Sequence, residues 1–183
     1  MNITLRPARP ADAGEMARWF ADEADLAQWA GPDIDFPLTA DHLRQWNEEA
    51  AAAKPRTCLT AVDGDDRPVG YFQLVNDARN EMVRIARFAI APSVRGEGFG
   101  KALFARILAM AFDDMHAHRV ELGVWTTNRR AQRLYERAGF VHEGTSRDSS
   151  LVGGRRYSTI TMSLLAPEWR REWAKADQPA QVA

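Results

Sequence analysis

The residues best suited to chemistry lie in one stretch, FAIAPSVRGEGFGKALF, residues 88–104. An apolar run ends at Pro92, Arg95 follows, and Gly96, Gly98 and Gly100 alternate into a helical repeat of apolar side chains that begins at Leu103. Glycine leaves backbone N–H groups uncovered, and the first turn of a helix adds unpaired donors and the positive end of a dipole. Such a loop is built to hold an anion, above all a phosphate. Two phosphate loops are excluded by spacing. A dinucleotide fingerprint would need glycine where Lys101 stands, and a P-loop would need glycine at Arg95 and Ser or Thr at Ala102. A tight strand-to-helix turn is the other use for alternate glycines; the arginine and the strand-loop-helix context favour the anion. Cys58 is the single cysteine, so an intrachain disulfide, a cysteine-based zinc site and a CxxC redox pair are all excluded. His116, His118 and His142 have no metal-ligand spacing, and no metal is expected.

The elements around this loop follow from apolar periodicity. Ile3 and Leu5 alternate as a strand until Pro7 and Pro10, after which Met16, Trp19 and Phe20 recur at helical spacing. Residues 31–38 are turn-rich, and Thr39 is an N-cap for a second helix with Leu43, Trp46 and Ala50 on one face. β-prone runs at 57–62 and 69–74 flank DGDDRP and predict a hairpin. NDARNE turns the chain into a strand over 82–91. Leu103, Phe104, Ile107, Leu108, Ala111 and Phe112 mark an amphipathic helix, followed by a strand over 120–125, a helix near 131–138, a short strand from Phe140 and a last strand with Ser158, Ile160, Met162 and Leu164 on one face. The order β α α β β β α β α β β predicts an α/β fold, or α+β in stricter usage. Its centre is a twisted mixed sheet of about seven strands with helices on both faces. A single domain is expected over residues 1–175, with a loose tail over 176–183.

The chain has 183 residues, 45% of them apolar and 27% charged, which suits one domain with its own core. The net charge of -1 conceals an asymmetry: residues 1–66 hold 13 acidic and 6 basic side chains, residues 67–183 hold 12 and 18. These are either segregated solvated faces or an anionic ligand on the later part and a cationic one on the earlier part. A pI near 6.4 argues against nucleic acid. No segment reads as a signal peptide or approaches the ~20 apolar residues of a membrane span, so a cytoplasmic location is expected.

Arg95, Gly98 and Gly100 match the R/Q-x-x-G-x-G/A signature of the GNAT acyltransferases, after an apolar strand and Pro92. Further along, TNRRAQRLYERAGF resembles the N-x-x-A-x-x-L-Y-x-x-x-G-F segment of the same family. ITLRPARPADAGEM and EGTSRDSSLVGGRRYSTITMSLLAPEW resemble its bacterial members acting on small amines or on protein N-termini, including ribosomal ones. The resemblance implies acetyl-CoA as co-substrate, with its pyrophosphate on Arg95, Gly96, Gly98, Gly100 and Lys101 and its pantetheine arm on the backbone of Phe88 and Ile90. A bulge would splay that strand from its neighbour and let N–H near Ile90 polarise the thioester carbonyl. Asn128 would contact pantetheine or cap a helix, Ala131 would leave room for the cofactor, and Gly139 would end the helix. Tyr135 would protonate the departing sulfur, unless it is a core tyrosine with a bonded hydroxyl.

One departure stands out. The glutamate that many members use as a base falls here on Arg84. Glu81 could act through water or be a solvated turn residue, and Glu121 is the other candidate; the catalytic pair expected is Tyr135 with Glu81. Asp22, Glu23, Asp25, Asp33 and Asp35, with Trp29 and Phe36, would form an acceptor wall suited to a cationic amine, or else a solvated acidic loop. Transfer of acetyl to a small-molecule primary amine is the expected activity. Its alternatives are acetylation of a protein N-terminus and a coenzyme A sensor without turnover. A homodimer is left open.

Overall fold

The computed structural model describes residues 4–49, 55–96 and 98–176. Ile3, Ala50 and the end of the chain beyond residue 176 lie outside the described residues. The fold is a seven-stranded mixed sheet in the order β1-β2-β3-β4-β5-β7-β6. Its strands are β1 (Thr4–Pro7), β2 (Arg56–Val62), β3 (Pro68–Asp77), β4 (Met82–Ile90), β5 (Arg119–Trp125), β6 (Val141–Val152) and β7 (Arg155–Leu165). Every neighbouring pair is antiparallel except β4 and β5.

Helices cover both faces. Before the second strand come α1 (Ala13–Met16), α2 (Glu23–Ala30) and α3 (Ala40–Glu49); after β4 comes α4 (Phe99–Ala109), after β5 α5 (Arg129–Arg137), and after β7 α6 (Ala166–Ala176). Successive side chains of a strand point to opposite faces, and β3 shows which helices lie where. Tyr71 packs against Trp29 of α2 and Trp46 of α3, whereas a Cβ added at Gly70 would meet Leu103 of α4 at 2.7 Å. Large side chains fully out of solvent on both sides, among them Trp46, Tyr71, Phe72, Phe104 and Ile107, supply the apolar burial that holds the layers together.

Four elements differ from the sequence expectation. The helix expected around Met16 is the single turn α1 between two 3-10 turns. Of the acidic stretch after it, Glu23–Ala30 form α2, a run of good helix formers whose Leu26, Ala27 and Ala30 are buried, while Asp33 and Asp35 lie in the irregular connection that follows. The strand from Phe140 is long rather than short. β6 is polar and exposed along nearly its whole length, as an edge strand should be, so it lacks the alternation that betrays half-buried strands. The last helix, α6, was not expected; Pro167 suits its first turn, the Glu168 carboxylate accepts a hydrogen bond from Leu165 N, and Trp169 stacks on Phe112.

A ladder of charges ties the strands of the sheet's second half. Arg84 on β4 meets Glu121 on β5 at 3.1 Å, Glu121 also meets Arg119 at 3.2 Å, and Arg119 holds Glu143 on β6 at 2.5 Å. Ser163 on β7 donates to Glu143 at 2.7 Å. The Arg119 and Ser163 hydrogen bonds pull the Glu143 carboxyl down to about 2 from its usual 4.5. A depressed carboxyl contributes stability that is present above its unfolded pKa and lost as pH falls through the folded one. We therefore expect Glu143→Gln to lower Tm slightly at pH 7, with the gap to wild type closing between about pH 4.5 and 2. A gap in Tm that does not change over that window would show that the Arg119 pairing contributes nothing.

Candidate active site

The site begins with a residue in an uncommon conformation. Arg87 has φ +50, the left-handed region that non-glycine residues seldom occupy. On β3 the register moves from Tyr71 to Gln73 while on β4 it moves from Ala89 to Ala86, so β4 carries one extra residue there, a β-bulge. Bulges increase local twist, and the ladder to β5 stops at once: β4 pairs with β5 only from Met82 with Arg119 to Ile85 with Leu122. Beyond that point β5 continues along β7 alone, and the two strands open into a wedge. Ala91 N donates to Val69 O on β3, so backbone alternation turns the N–H of Ile90 and Phe88 the other way, toward the wedge.

The wedge is part of a cleft of about 1420 Å³ lined by Phe88, Ile90, Arg95, Gly96, Gly98, Gly100, Lys101, Asn128 and Tyr135. The glycine loop and the start of α4 therefore come to the same space as the free edge of β4. Arg95 Nε donates to Ile90 O at 3.0 Å, which fastens the loop to the strand end. Burial, and behind it the neighbouring charge of Arg130, lowers the pKa of Arg95. Lys101, Arg130, Arg133 and Arg137 line the same side and have no carboxylate partner among the described residues. Gly96 and Gly98 have φ +99 and +79, and a Cβ at either would meet nothing within 4 Å. What glycine provides at both is backbone conformation, and the space in front of them is open.

α5 supplies the opposite wall. Asn128 caps it, its Oδ1 accepting from Ala131 N at 3.1 Å, and Gly139 ends it with φ +94. Gln132, buried, donates to the carbonyls of Trp125 and Thr126 and so fixes the helix to the end of β5. Tyr135 is buried against Phe104 and Phe140. Its hydroxyl has no hydrogen bond among the described residues, and burial pushes its pKa up, which keeps the phenol protonated.

Comparison with known proteins places the chain in a family. The family model described as an acetyltransferase (GNAT) domain matches residues 2–141. The chain belongs to the GNAT acetyltransferase family. It is similar to the uncharacterized N-acetyltransferase YokL of Bacillus subtilis, 27% identical over 92% of each chain. It is also similar to YdaF of the same organism, provisionally named a ribosomal N-acetyltransferase, 28% identical over 93% of this chain and 95% of that one. A spermidine N(1)-acetyltransferase of Vibrio cholerae is 31% identical over 58% of this chain and 62% of its own. Among solved structures, spermidine N-acetyltransferase from Vibrio cholerae in complex with CoA and spermine superposes with TM-score 0.77 at 22% identity, over 92% of this chain and 98% of that one. The chain is thus an N-acetyltransferase of a family that uses acetyl-CoA. No described helix is long and apolar enough to cross a membrane.

The second opening of the GNAT wedge lies on the sheet face covered by α2 and α3, and here the expected residues are only partly assembled. Glu81 is exposed at the closed end of β4 and does not line the cleft. Its role there is structural, since its carbonyl accepts from His118 N and Arg119 N, where β5 begins. Glu121 is engaged by Arg84 and Arg119. Of the expected acidic wall, Asp25 alone lines the cleft; Asp22 instead caps α2 by accepting from Asp25 N at 2.8 Å. Sequence reasoning missed Arg56 and Arg87, which line this opening with Arg84. Nothing in the pattern of β4 distinguishes Arg87 from a solvated strand residue. Arg84 had left a signal, as the cation standing at the usual place of a carboxylate. Trp125 stacks on Tyr157 at 4.1 Å and packs with Val152 and Ala27, tying the β6–β7 hairpin to α2 across the mouth.

Gly98 supports a test of the loop. Gly98→Val places a β-branched residue at φ +79, which costs about 1–2 kcal/mol in the left-handed region, and fills the open space beside it. We expect a lower Tm together with at least a tenfold loss, in order of magnitude, of acetyl-CoA affinity by calorimetry. Unchanged affinity in the folded variant would remove the loop from the binding site.

Proposed function

We propose that this protein transfers the acetyl group of acetyl-CoA to the primary amine of a small molecule. The observation that carries the reading is the wedge: strand N–H groups without a strand partner, a cation-lined glycine loop and a tyrosine whose hydroxyl has no hydrogen bond among the described residues all line one cleft. In this reading the amides of Gly96, Gly98 and Gly100, with Arg95 and Lys101, hold the pyrophosphate. The backbone of Phe88 and Ile90 holds the pantetheine arm as an added strand, and Asn128 shapes the turn beside it.

Acyl transfer then needs three things: a neutral amine, a stabilised oxyanion and a protonated leaving group. The amine nitrogen bonds to the thioester carbon and gives up one proton, the C–S bond breaks, and the sulfur takes a proton, so that the amide and the free thiol form with no net gain or loss of protons. An N–H near Ile90, beyond the point where β4 ceases to pair with β5, is available to the oxyanion. Tyr135 is the proton donor. Burial raises its pKa, so the phenol is held protonated and has a proton to give to the departing sulfur. Glu81 is exposed at the closed end of β4 and does not line the cleft, so a proton that it takes from the amine must travel through water. Acetylation of a peptide N-terminus is the second reading, favoured by the likeness to YdaF.

Tyr135→Phe should lower turnover by roughly 10²-fold, the usual scale for a positioned proton donor, with acetyl-CoA affinity unchanged. Thiol release measured over a panel of small amines and one peptide would identify the acceptor class. A variant as fast as wild type where chemistry limits turnover would exclude Tyr135 from the mechanism.

A further inference from the structure

The Tyr135 hydroxyl has no hydrogen bond among the described residues, while its ring is buried against Phe104 and Phe140. A hydroxyl hydrogen rotates to suit its surroundings, but without a partner the oxygen takes its place from the helix that carries it. That helix, α5, reads RRAQRLYER and offers the core little: Gln132 and Tyr135 are its two buried residues, with Ala131 and Leu134 packed at the margin. Gln132 is 3% exposed, and burying a carboxamide is costly unless its groups are bonded. Here they are. Nε2 donates to Trp125 O at 2.9 Å and to Thr126 O at 3.0 Å, and Oε1 accepts from Arg129 Nη1 at 3.1 Å. The two carbonyls are successive ones at the end of β5, and that end is a firm anchor, since Trp125 pairs with Thr159 on β7 and its ring stacks on Tyr157. Residues three apart on a helix share a face, so the same face that is fastened at Gln132 carries Tyr135 one turn further into the cleft.

We propose that Gln132 is a positioning residue for acetyl transfer: its carboxamide sets how α5 lies against the end of β5, and thereby the point at which the Tyr135 hydroxyl meets the departing sulfur; this rests on the acetyl-transfer reading above. An apolar side chain of the same length would fill the same space without the cost of burying an amide. Apolar packing is non-directional, however, and lets a helix slide, whereas two hydrogen bonds to successive carbonyls fix both its distance and its rotation. A proton donor with no hydrogen bond of its own needs that fixity from elsewhere.

The test measures kcat, KM and acetyl-CoA binding by calorimetry in Gln132→Met, Tyr135→Phe and the double variant, with acetyl-CoA and the fastest primary amine of the panel above. Gln132→Met keeps the length of the side chain and removes both donors. Its kcat should fall roughly tenfold, less than the roughly 10²-fold that a misplacement of about 1 Å can cost, with KM for the amine and the calorimetric stoichiometry close to wild type. In the Tyr135→Phe background the same substitution should cost nothing further, because a position cannot matter once the proton it places is gone. Losses that multiply in the double variant, or a loss confined to stoichiometry and Tm, would make Gln132 merely structural and overturn the proposal. Gln132→Asn, which keeps the amide but shortens its reach by one methylene, is measured where Gln132→Met does not fold; wild-type kcat in either folded variant also overturns the proposal. The reading beneath it fails separately. Tyr135→Phe as fast as wild type removes the proton donor, whereas a slow Tyr135→Phe beside a fast Gln132→Met removes the positioning and leaves the donor in place.

Discussion

Everything distinctive about this molecule descends from the backbone at Arg87. A side chain at φ +50 costs of order 1 kcal/mol or more, and such a residue persists only where its surroundings over-determine it. Here they do, through the Trp46 ring beneath the guanidinium and the Gln73 amide at its tip. The bulge so fixed shifts the register of β4 against β3 and ends its ladder with β5 after Leu122. From that one break come the free strand edge, the cleft that receives the glycine loop, and the gap across which Tyr135 is presented from α5.

Much of this was readable in the sequence because its determinants are local. The arginine-glycine loop announces itself by composition, and α4 by the period of Leu103, Phe104, Ile107 and Leu108, all buried as that period requires. The hairpin between β2 and β3 was marked by its turn, which Asp63 closes by accepting from Asp65 N and Arg67 N. What escaped notice depends on partners distant in sequence. β6 is polar because it lies on an edge, which no window of residues can reveal. α2 was hidden behind its acidic residues, whose charge suggested a ligand although Asp22 serves the helix itself. The bulge was expected only through the family resemblance. That Arg56 and Arg87 meet on Gln73 depends on three strands packing in register.

The separation of charge along the chain also finds a physical place. The cations of the later part gather around the loop and α5, where Lys101, Arg130, Arg133 and Arg137 line the cleft. The acids of the earlier part are largely spent on structure: Asp12, buried, accepts from Arg6, from Arg9 N and from Thr60, and Asp66 binds Arg6 and Arg9. Segregation in sequence therefore does not produce two opposed binding surfaces.

The free edge of β4 has a consequence for how the chain coexists with other copies of itself. An unpaired strand edge is a template for aggregation, and outer edges are commonly protected by charge, twist or irregular pairing, as β6 is by its register breaks and exposed polar side chains. The inner edge cannot be protected that way without destroying its use. It is guarded by position instead, set between two strands of its own sheet, with α4 and α5 rising on one side and the stacked Trp125–Tyr157 pair on the other. A foreign strand would have to enter a wedge that closes at Ile85 and Leu122, so the fold can keep backbone donors unsatisfied for a thin ligand while denying them to a neighbouring polypeptide.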